Sequence, residues 1–379
     1  MTPVLAGSVV VAPGAEDAAG LLAALAGKAA GPAADPLVPA PDPGGAGQAR
    51  ALVCRAAGAG APGEDRIQIL LELLLERLLS SPQPPDGARL HLVLPPADTP
   101  RGARLDPARL RRDLCREPAA GDLDPVLEHQ AGPVAAHLRA ACEALARGEA
   151  EEILFGAVDS LLDPLTLDRL GRAGQLETGA GTGVVPGEAA AVVRLRAAAP
   201  EPGGVVLAGL ALATEPHAGR PHRERQTGLA AALREAAGGQ MPDAVIHAAG
   251  CRRLHLLEWH QVQGALWPPP PPADPGAAAE PQAAGATGSG EAPEAGEAPG
   301  PGGAPEEFNL GLAVGDAGAA ALPLALALGC ARLLEGEPPA ASAVACEWEA
   351  GPGRAAVRLA RPEAAGHHED SDTLQGDAA

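Results

Sequence analysis

Apolar and polar positions along the chain fall into two alternating patterns, short apolar runs and longer runs with helical spacing. The short runs have the length and the small or branched side chains of buried strands. They predict strands over residues 7–12, 88–96, 151–160, 188–197, 203–215, 242–250, 341–350 and 354–360. The longer runs predict helices over residues 66–79, 133–148, 225–239 and 317–331.

This alternation indicates a mixed α/β protein whose sheets are mainly parallel and covered by helices. Each half of the chain has a strand, a small-residue loop, a long core helix and a further strand, which predicts an internal duplication. The helix at residues 66–79 is apolar on most of its faces, so we expect it to be largely buried.

Two segments lack the composition of a folded core. Residues 268–307 contain eleven Pro and seven acidic residues but no Lys, Arg, Leu, Ile, Val or Phe. Such a segment buries too little apolar surface to fold, so we predict a disordered insert. The tail at residues 364–379 is also predicted to be disordered. A metal role for its His367 and His368 is conceivable, but a solvated tail is the preferred interpretation.

The overall composition excludes several classes of protein. The 379 residues carry a formal net charge of -20, which is the opposite of the basic surface that nucleic-acid binding needs. The most apolar stretch, residues 317–331, is shorter than the about 20 residues that span a membrane. We therefore expect a buried core helix there, with neither a nucleic acid nor a membrane as partner.

The cysteines indicate a reducing compartment. The chain has six, and no two of them form a C-x-x-C pair, so a structural zinc site is not predicted. Sparse, irregularly spaced cysteines suggest reduced thiols and a cytoplasmic protein. No basic segment precedes the first apolar run, so no signal peptide is predicted. No motif for a cofactor or for a metal ion stands out.

Four stretches together resemble the β-ketoacyl synthases of the thiolase-like superfamily, and they lie in the order that this family has. They are "CEALARGEAEEILFGAVDSLLDP", "VVPGEAAAVVRL", "LAAALREAAGGQMPDAVIHAAG" and "LAVGDAGAAALPLALAL". The resemblance implies a layered α-β-α-β-α architecture built from two duplicated βα halves. It places the N-terminal half at residues 1–195 and the C-terminal half at residues 196–363, with the insert 268–307 inside the latter.

The resemblance also implies where the family's catalytic residues should lie. The family uses a Cys at the N-terminus of a buried helix, two His residues and, in some members, a Lys. The position of the Cys falls on Ala131, that of the first His on Ala249 and that of the second His on Asp316. Lys28 is the only lysine of the chain, so the Lys has no counterpart. The catalytic set is therefore predicted to be absent.

Other interpretations of these positions remain open. A shift of one or two residues would bring His129 or His247 into the family's positions. Asp316 could be a catalytic carboxylate, although a helix N-cap is the more common use of such a residue. Glu188 is expected to be structural. Histidines 247, 255 and 260 are also expected to be structural, because their spacing does not align them all on one helical face.

These observations lead to three hypotheses of function. The first is a non-catalytic synthase-like subunit with an acyl-binding or scaffold role, similar to a chain-length factor. It would form a homodimer, or a heterodimer with a ketosynthase-like subunit. The second is an active acyltransferase or condensing enzyme whose nucleophile is substituted or misplaced, and the third is an interaction protein. Arg109, Arg112 and Arg116 share a predicted helical face and are a candidate docking site for an acidic acyl carrier protein.

Overall fold

The computed structural model describes residues 2–28, 31–41, 48–56, 66–81, 87–116, 123–179, 183–199, 204–220, 223–248, 253–267, 304–348 and 351–362. The strands within these ranges are β1 Val4–Val11, β2 Ala33–Pro41, β3 Gln48–Val53, β4 Arg89–Leu94, β5 Asp124–His129, β6 Glu152–Ser160, β7 Glu188–Arg196, β8 Val205–Thr214, β9 Ala244–Ala248, β10 Glu306–Asn309, β11 Ser342–Trp348 and β12 Gly353–Ala360. All eight strands predicted from the sequence are among them.

The helices are α1 Ala18–Ala23, α2 Arg66–Leu79, α3 Pro107–Leu114, α4 Val134–Ala146, α5 Pro164–Arg172, α6 Gly228–Ala237, α7 Arg253–Leu266, α8 Gly311–Val314 and α9 Ala321–Glu335. A π-helical turn follows α1, and a 3₁₀ turn at residues 318–320 precedes α9. The four predicted helices correspond to α2, α4, α6 and α9.

The sheet confirms the predicted duplication. Ten strands form one sheet in the order β10-β9-β11-β12-β8-β1-β7-β6-β4-β5. Each half contributes five of these described strands. The first strand of one half has the same place in its half of the sheet as the first strand of the other, and so on along the chain, and equivalent neighbours pair in the same direction. Accordingly β1 corresponds to β8, β4 to β9, β5 to β10, β6 to β11 and β7 to β12. The halves join where β1 and β8 pair over two residues.

The mixed α/β class is confirmed, but the sheets are not mainly parallel as predicted. Among the described strands, four ladders are parallel and six are antiparallel. For β11 and β12 the reason is local, because the connection between them is too short for the crossover that parallel neighbours need. Apolar runs predict burial, whereas strand direction depends on these connections.

Three apolar clusters define the predicted α-β-α-β-α layers. The central cluster contains α4 and α9 together with side chains from strands of both halves, such as Phe155 of β6 and Ile246 of β9. The outer face of the first half is covered by α2 and the outer face of the second half by α6 and α7. Successive residues of β6 alternate between layers, since Phe155 faces the central cluster and Leu154 the outer one.

Helix α9 is the buried core helix that the sequence predicts. Thirteen of its fifteen residues are buried. Together with the 3₁₀ turn before it, this helix is long and apolar enough to cross a membrane by length and composition, but 78% of that window is buried inside the protein. Pro323 lies in the first turn of α9, where a missing backbone N–H breaks no intrahelical hydrogen bond.

Helix α2 corrects a second expectation. The sequence predicts that it is largely buried, yet it lies in an outer layer and buries one face, formed by Arg66, Ile67, Leu70, Leu71, Leu74 and Leu78. Its remaining leucines are partly exposed because an outer-layer helix has a sheet on one side only.

The predicted insert ends earlier than residue 307. Its residues 268–303 lie outside the described ranges, but Glu306 and Glu307 belong to β10, which pairs with β9. The carboxylate of Glu306 accepts a hydrogen bond from Arg332 Nε at 2.7 Å. The carboxylate of Glu307 accepts from Trp259 Nε1 at 2.9 Å and from Gln263 Nε2 at 2.7 Å. The acidic, Pro-rich composition of this segment led to a prediction of disorder, although its last two residues belong to the edge strand β10 and their carboxylates have specific partners.

A pair of deletions tests this boundary. We expect that replacing residues 268–303 with a Gly/Ser linker of about ten residues leaves the melting temperature nearly unchanged. A linker replacing residues 268–307 should instead lower the free energy of unfolding by about 2–3 kcal/mol, because Arg332 and Trp259 lose their carboxylate partners. Urea unfolding of both variants measures the difference. Equal stability of the two variants would contradict the assignment of β10.

Candidate functional site

The loop between β5 and α4 contains Ala131, the position predicted to correspond to the family's nucleophile. Gly132 has a φ of 75°, a left-handed conformation that glycine adopts without strain. Pro133 precedes the first turn of α4 and provides no side-chain cap for it. The backbone N–H of Ala131 donates to His137 Nε2 at 3.3 Å. The loop therefore presents a methyl group, with no nucleophilic atom, at this position.

A carboxylate from the other half of the molecule caps α4. Glu347 of β11 accepts hydrogen bonds from the backbone N–H groups of Val134 at 2.6 Å and Ala135 at 2.9 Å. Glu347 is buried, with 5% of its surface exposed. The first N–H groups of a helix carry partial positive charge and stabilise an anion. Here they already bind a protein carboxylate.

The start of α9 has the same arrangement with the halves exchanged. Asp159 of β6 is fully buried and accepts from the backbone N–H of Ala319 at 2.9 Å. It also accepts from Arg101 Nε at 2.6 Å. Since β6 corresponds to β11 and α4 to α9, Asp159 and Glu347 are equivalent carboxylates that join the two halves. Neither helix cap was predicted from the sequence, although an acidic residue inside a buried apolar strand indicates a buried partner.

Asp316 lies just before this second helix start. Its Oδ1 accepts from the backbone N–H of Gly318 at 3.2 Å, which supports the cap interpretation of this residue. Its backbone joins the adjacent segment, since Asp316 N donates to Val185 O at 2.8 Å and Gly187 N donates to Asp316 O at 3.0 Å. Ala131 and Asp316 thus lie at the starts of equivalent helices of the central layer. Ala249, the third predicted position, lies outside the described residues.

The histidines singled out in the sequence have two different surroundings. His247 is buried and stacks on Trp348 at a centroid distance of 5.4 Å, with Trp259 edge-on at 4.5 Å. His255 also stacks on Trp348, at 5.9 Å. These contacts agree with the structural interpretation of both residues. His129 contacts Pro95 O through Nδ1 at 2.7 Å.

Three further residues come together although the sequence analysis did not connect them. His91 of β4, Glu128 of β5 and His137 of α4 place their potential ligand atoms within 4.8 Å of one another. Burial lowers the pKa of His91, and this effect outweighs the opposite effect of Glu128. His91 is distant in the sequence from the other two residues, and the parallel pairing of β4 with β5 and the return of α4 bring the three together.

The predicted docking arginines are exposed, but they do not all lie on one helix. Helix α3 ends at Leu114, so Arg116 lies in the turn that follows it. Arg109 and Arg116 both pair with Asp113, at 3.7 and 3.5 Å. Two arginines earlier in the segment are structural: Arg101 pairs with Asp159, and Arg104 pairs with Asp163 at 2.6 Å.

Three of the described cysteines lack the electrostatic surroundings of nucleophiles. Burial raises the pKa of Cys142 to about 11 and that of Cys330 to about 12. Burial, together with the charge of Glu307, also raises the pKa of Cys346. Cys115, in contrast, is exposed at the end of α3. A thiol attacks as its thiolate, so the raised pKa values make the half-buried Cys142 and the buried Cys330 and Cys346 unreactive at neutral pH.

Thiol labelling tests this ranking. With a pKa of about 11, only about one in a thousand Cys142 side chains is ionised at pH 8. Among these four cysteines, we expect an aromatic disulfide reagent to label Cys115 of the native protein first and to leave Cys142, Cys330 and Cys346 unlabelled. In urea all four should react at similar rates, as peptide mapping would show. Rapid native labelling of Cys142 would contradict the raised pKa.

Comparisons with known proteins support the fold that these sites share. No protein-family model matches the chain, and no curated protein sequence matches it. Solved structures do match. An oxazolomycin ketosynthase domain from Streptomyces albus aligns with 95% of this chain and 74% of its own, with a TM-score of 0.62 and 17% identity.

Two further structures give the same result. The ishigamide ketosynthase/chain length factor aligns over 95% of this chain and 98% of its own, with a TM-score of 0.63 and 11% identity. A ketosynthase from module 6 of the bacillaene synthase of Bacillus subtilis 168 covers 95% of this chain and 72% of its own, with a TM-score of 0.63 and 12% identity. The chain therefore has the thiolase-like α/β fold of ketosynthases and chain length factors.

Proposed function

We propose that this chain is a non-catalytic ketosynthase-like subunit that acts as a scaffold or acyl-binding partner, in the manner of a chain length factor. The proposal includes a homodimer, or a heterodimer with an active ketosynthase-like subunit. It includes no cofactor. A cytoplasmic location stays a prediction from the cysteine pattern.

The observation that carries this proposal is the carboxylate of Glu347 at the N-terminus of α4. In the family that the chain resembles, this helix start favours the thiolate of the nucleophile. Here the N–H groups of Val134 and Ala135 are bound to Glu347. A thiolate at residue 131 would lie near a fixed negative charge and would compete with it for the same helix end, which raises the pKa of a thiol.

The residues at the remaining predicted positions support the same interpretation. Ala131 has no atom that can form an acyl bond. Asp316 is an acceptor of the Gly318 N–H, whereas the family's histidine at this place donates to a developing negative charge. These defects affect different steps of a condensation. Restoring a thiol alone through Ala131→Cys should therefore permit slow acylation at most, without decarboxylation.

The partner part of the proposal rests on β5. In the described part of the chain, β5 forms one end of the ten-stranded sheet and leads directly into the loop of Ala131. An edge strand offers unpaired backbone groups to a second sheet. A stable interface of this kind buries roughly 2,000 Å² or more. Light scattering with and without a co-expressed ketosynthase tests it, and a monomer under both conditions would contradict it.

A condensation assay tests the lack of catalysis. We expect no carbon dioxide and no 3-oxoacyl product when the purified chain is mixed with an acyl donor and a malonyl-loaded carrier protein. Adding an active ketosynthase to the same mixture serves as the positive control. Product formed by the chain alone would favour the alternative, an active condensing enzyme with a substituted nucleophile.

Carrier-protein docking gives a further test. Arg109 and Arg112 are exposed on α3 in an otherwise acidic protein. We expect Arg109→Glu/Arg112→Glu to weaken binding of an acidic carrier protein at low salt and to have less effect at high salt. The matched control is Arg169→Glu/Arg172→Glu, which reverses two exposed charges on α5. Equal binding by the two double variants, or no binding by the unmodified chain, would contradict this docking site.

A further inference from the structure

The trio of His91, Glu128 and His137 has the donor atoms of a metal site. Glu128 Oε2 lies 3.6 Å from His91 Nε2 and 3.2 Å from His137 Nδ1. Zinc bonds of about 2.0–2.2 Å to nitrogen and oxygen place tetrahedral ligand atoms roughly 3.3–3.6 Å apart. Both measured distances are close to this range. The ligand atoms of His91 and His137 lie within 4.8 Å of each other.

The side chain of His91 gives an independent reason to expect a ligand. It is 9% exposed, and its buried Nε2 has no hydrogen-bond partner among the residues that the structure describes. The separation from Glu128 exceeds hydrogen-bond distance. A buried polar atom without a partner costs free energy, and native proteins rarely leave one unsatisfied. Phe155 packs against the ring at a centroid distance of 5.8 Å and limits its movement.

The elements that present the trio are rigid parts of the fold. His91 lies on β4 and Glu128 on the adjacent parallel strand β5, while His137 lies on α4, which packs in the central layer. His91 and His137 are held edge to face at a centroid distance of 6.0 Å. The Glu128 side chain is 51% exposed, so an ion has a path from solvent. A preorganised site loses little entropy on binding.

We propose that His91, Glu128 and His137 bind a divalent transition metal ion, and that Zn²⁺ fits the site best. Two imidazoles and one carboxylate form a donor set that zinc shares with nickel and copper, whereas Mg²⁺ and Ca²⁺ prefer oxygen ligands. Three protein ligands leave a fourth coordination position for a water molecule. This site does not depend on the proposed scaffold role, although Glu128 lies on β5, the strand proposed to contact a partner.

Binding at this site is coupled to the loop of Ala131. His137 Nε2 accepts the N–H of Ala131, so the free imidazole carries its proton on Nδ1, the atom that faces Glu128. A metal ion takes the place of that proton, and the proton of the neutral ring then lies on Nε2. The hydrogen bond from Ala131 is lost. Metal binding therefore alters the segment that leads into α4.

The first experiment measures zinc in the full chain without an affinity tag. His367→Ala/His368→Ala is the background, so that the tail histidines do not contribute. After treatment with a chelator and dialysis, we expect one zinc ion per chain in a competition titration with a chromophoric chelator. Co²⁺ should give the intense visible absorption of a four-coordinate site. Absence of saturable binding at micromolar zinc would overturn the proposal.

Variants assign the site. His91→Gln, Glu128→Gln and His137→Gln should each weaken zinc binding by about a hundredfold or more, since even indirect supporting residues contribute about 10–100-fold. His129→Gln is the matched control, because His129 is adjacent to Glu128 in the chain and contacts Pro95 O instead. Circular dichroism checks that each variant folds. The half-exposed Glu128 should tolerate substitution, so Glu128→Gln keeps the test valid if a histidine variant misfolds.

The two outcomes are distinguishable. Zinc should raise the melting temperature of the background protein and of His129→Gln, but not that of the three ligand variants. Amide exchange in the peptide containing Ala131 should increase on zinc binding, because its acceptor is lost. Equal zinc affinity of the background and Glu128→Gln/His137→Gln would show that the trio is a hydrogen-bonded cluster without a metal role.

Discussion

Replacing Arg66 with methionine is expected to lower the free energy of unfolding by about 3–5 kcal/mol, because the change leaves a buried carboxylate without its counter-ion. The guanidinium of Arg66 donates to both oxygens of Glu188, and the two side chains are 2% and 0% exposed. Glu188 also accepts from Ala56 N and from Ser160 Oγ, both at 3.0 Å. One carboxylate thus joins α2, β6 and the segment after β3.

Controls separate this effect from a general loss at the helix. Gln68→Met changes an exposed position of α2 and should alter stability by about 0.5 kcal/mol or less. Arg66→Met/Glu188→Met removes both charges and should be more stable than Arg66→Met alone, because no charge is left buried. Urea unfolding followed by circular dichroism measures all three variants. A loss below about 1 kcal/mol for Arg66→Met would contradict the buried ion pair.

The second large effect is expected for Glu347→Ala, which should lower the free energy of unfolding by about 2–4 kcal/mol. The substitution leaves the buried N–H groups of Val134 and Ala135 without acceptors, and each unsatisfied group costs about 1–3 kcal/mol. It also removes a negative charge from the positive end of α4. The same change removes the contact by which β11 of the second half caps α4 of the first half.

Two further variants identify the cause. Glu347→Gln keeps one acceptor oxygen and should lose about half as much stability as Glu347→Ala. Glu143→Ala, at an exposed position of α4 that pairs with Arg147, should change stability by about 0.5 kcal/mol or less. If Glu347→Ala were as stable as Glu143→Ala, the carboxylate would not be the cap that the structure shows.

Most of the secondary structure could be predicted from the sequence because burial leaves a strong pattern. Strands such as β6 and β7 are mostly apolar, and α9 is apolar over its first eleven residues, so their position in the centre follows from composition. The repeated strand order also follows the duplication that the sequence suggested. Strand direction was predicted less well, since it depends on short connections such as that between β11 and β12.

Elements with few apolar residues were missed. The pair β2 and β3 packs on α5 mainly through Val and Ala side chains. Three prolines lie within β2, which is unusual for a strand. Strand β5 contains Asp124 and Glu128, and β10 begins with two acidic residues. These edge strands are recognised by hydrogen bonding to a neighbour, and the neighbour is distant in the sequence.

The residues of the candidate site also differ in how far they could be predicted from the sequence. Residues close together in the sequence, such as those around Ala131, could be placed by comparison with a family. Glu347 and Asp159 could not, because each caps a helix of the opposite half. The trio of His91, Glu128 and His137 also depends on contacts between separate elements. For Asp159 and Glu347 the sequence offers one signal, a charged residue inside an apolar run. Such a charge predicts a buried partner but does not say which residue that partner is.

Mass spectrometry of the intact protein after incubation with an acyl-CoA and an acyl-loaded carrier protein tests the proposed lack of catalysis most directly. Cys115→Ser removes the one exposed thiol among the five cysteines that the structure describes, because this thiol could be acylated without any active site. We predict that this variant gains no acyl mass at neutral pH, whereas an active ketosynthase in a parallel reaction does. A stable, stoichiometric acyl adduct mapped near Ala131 or the start of α9 would contradict it.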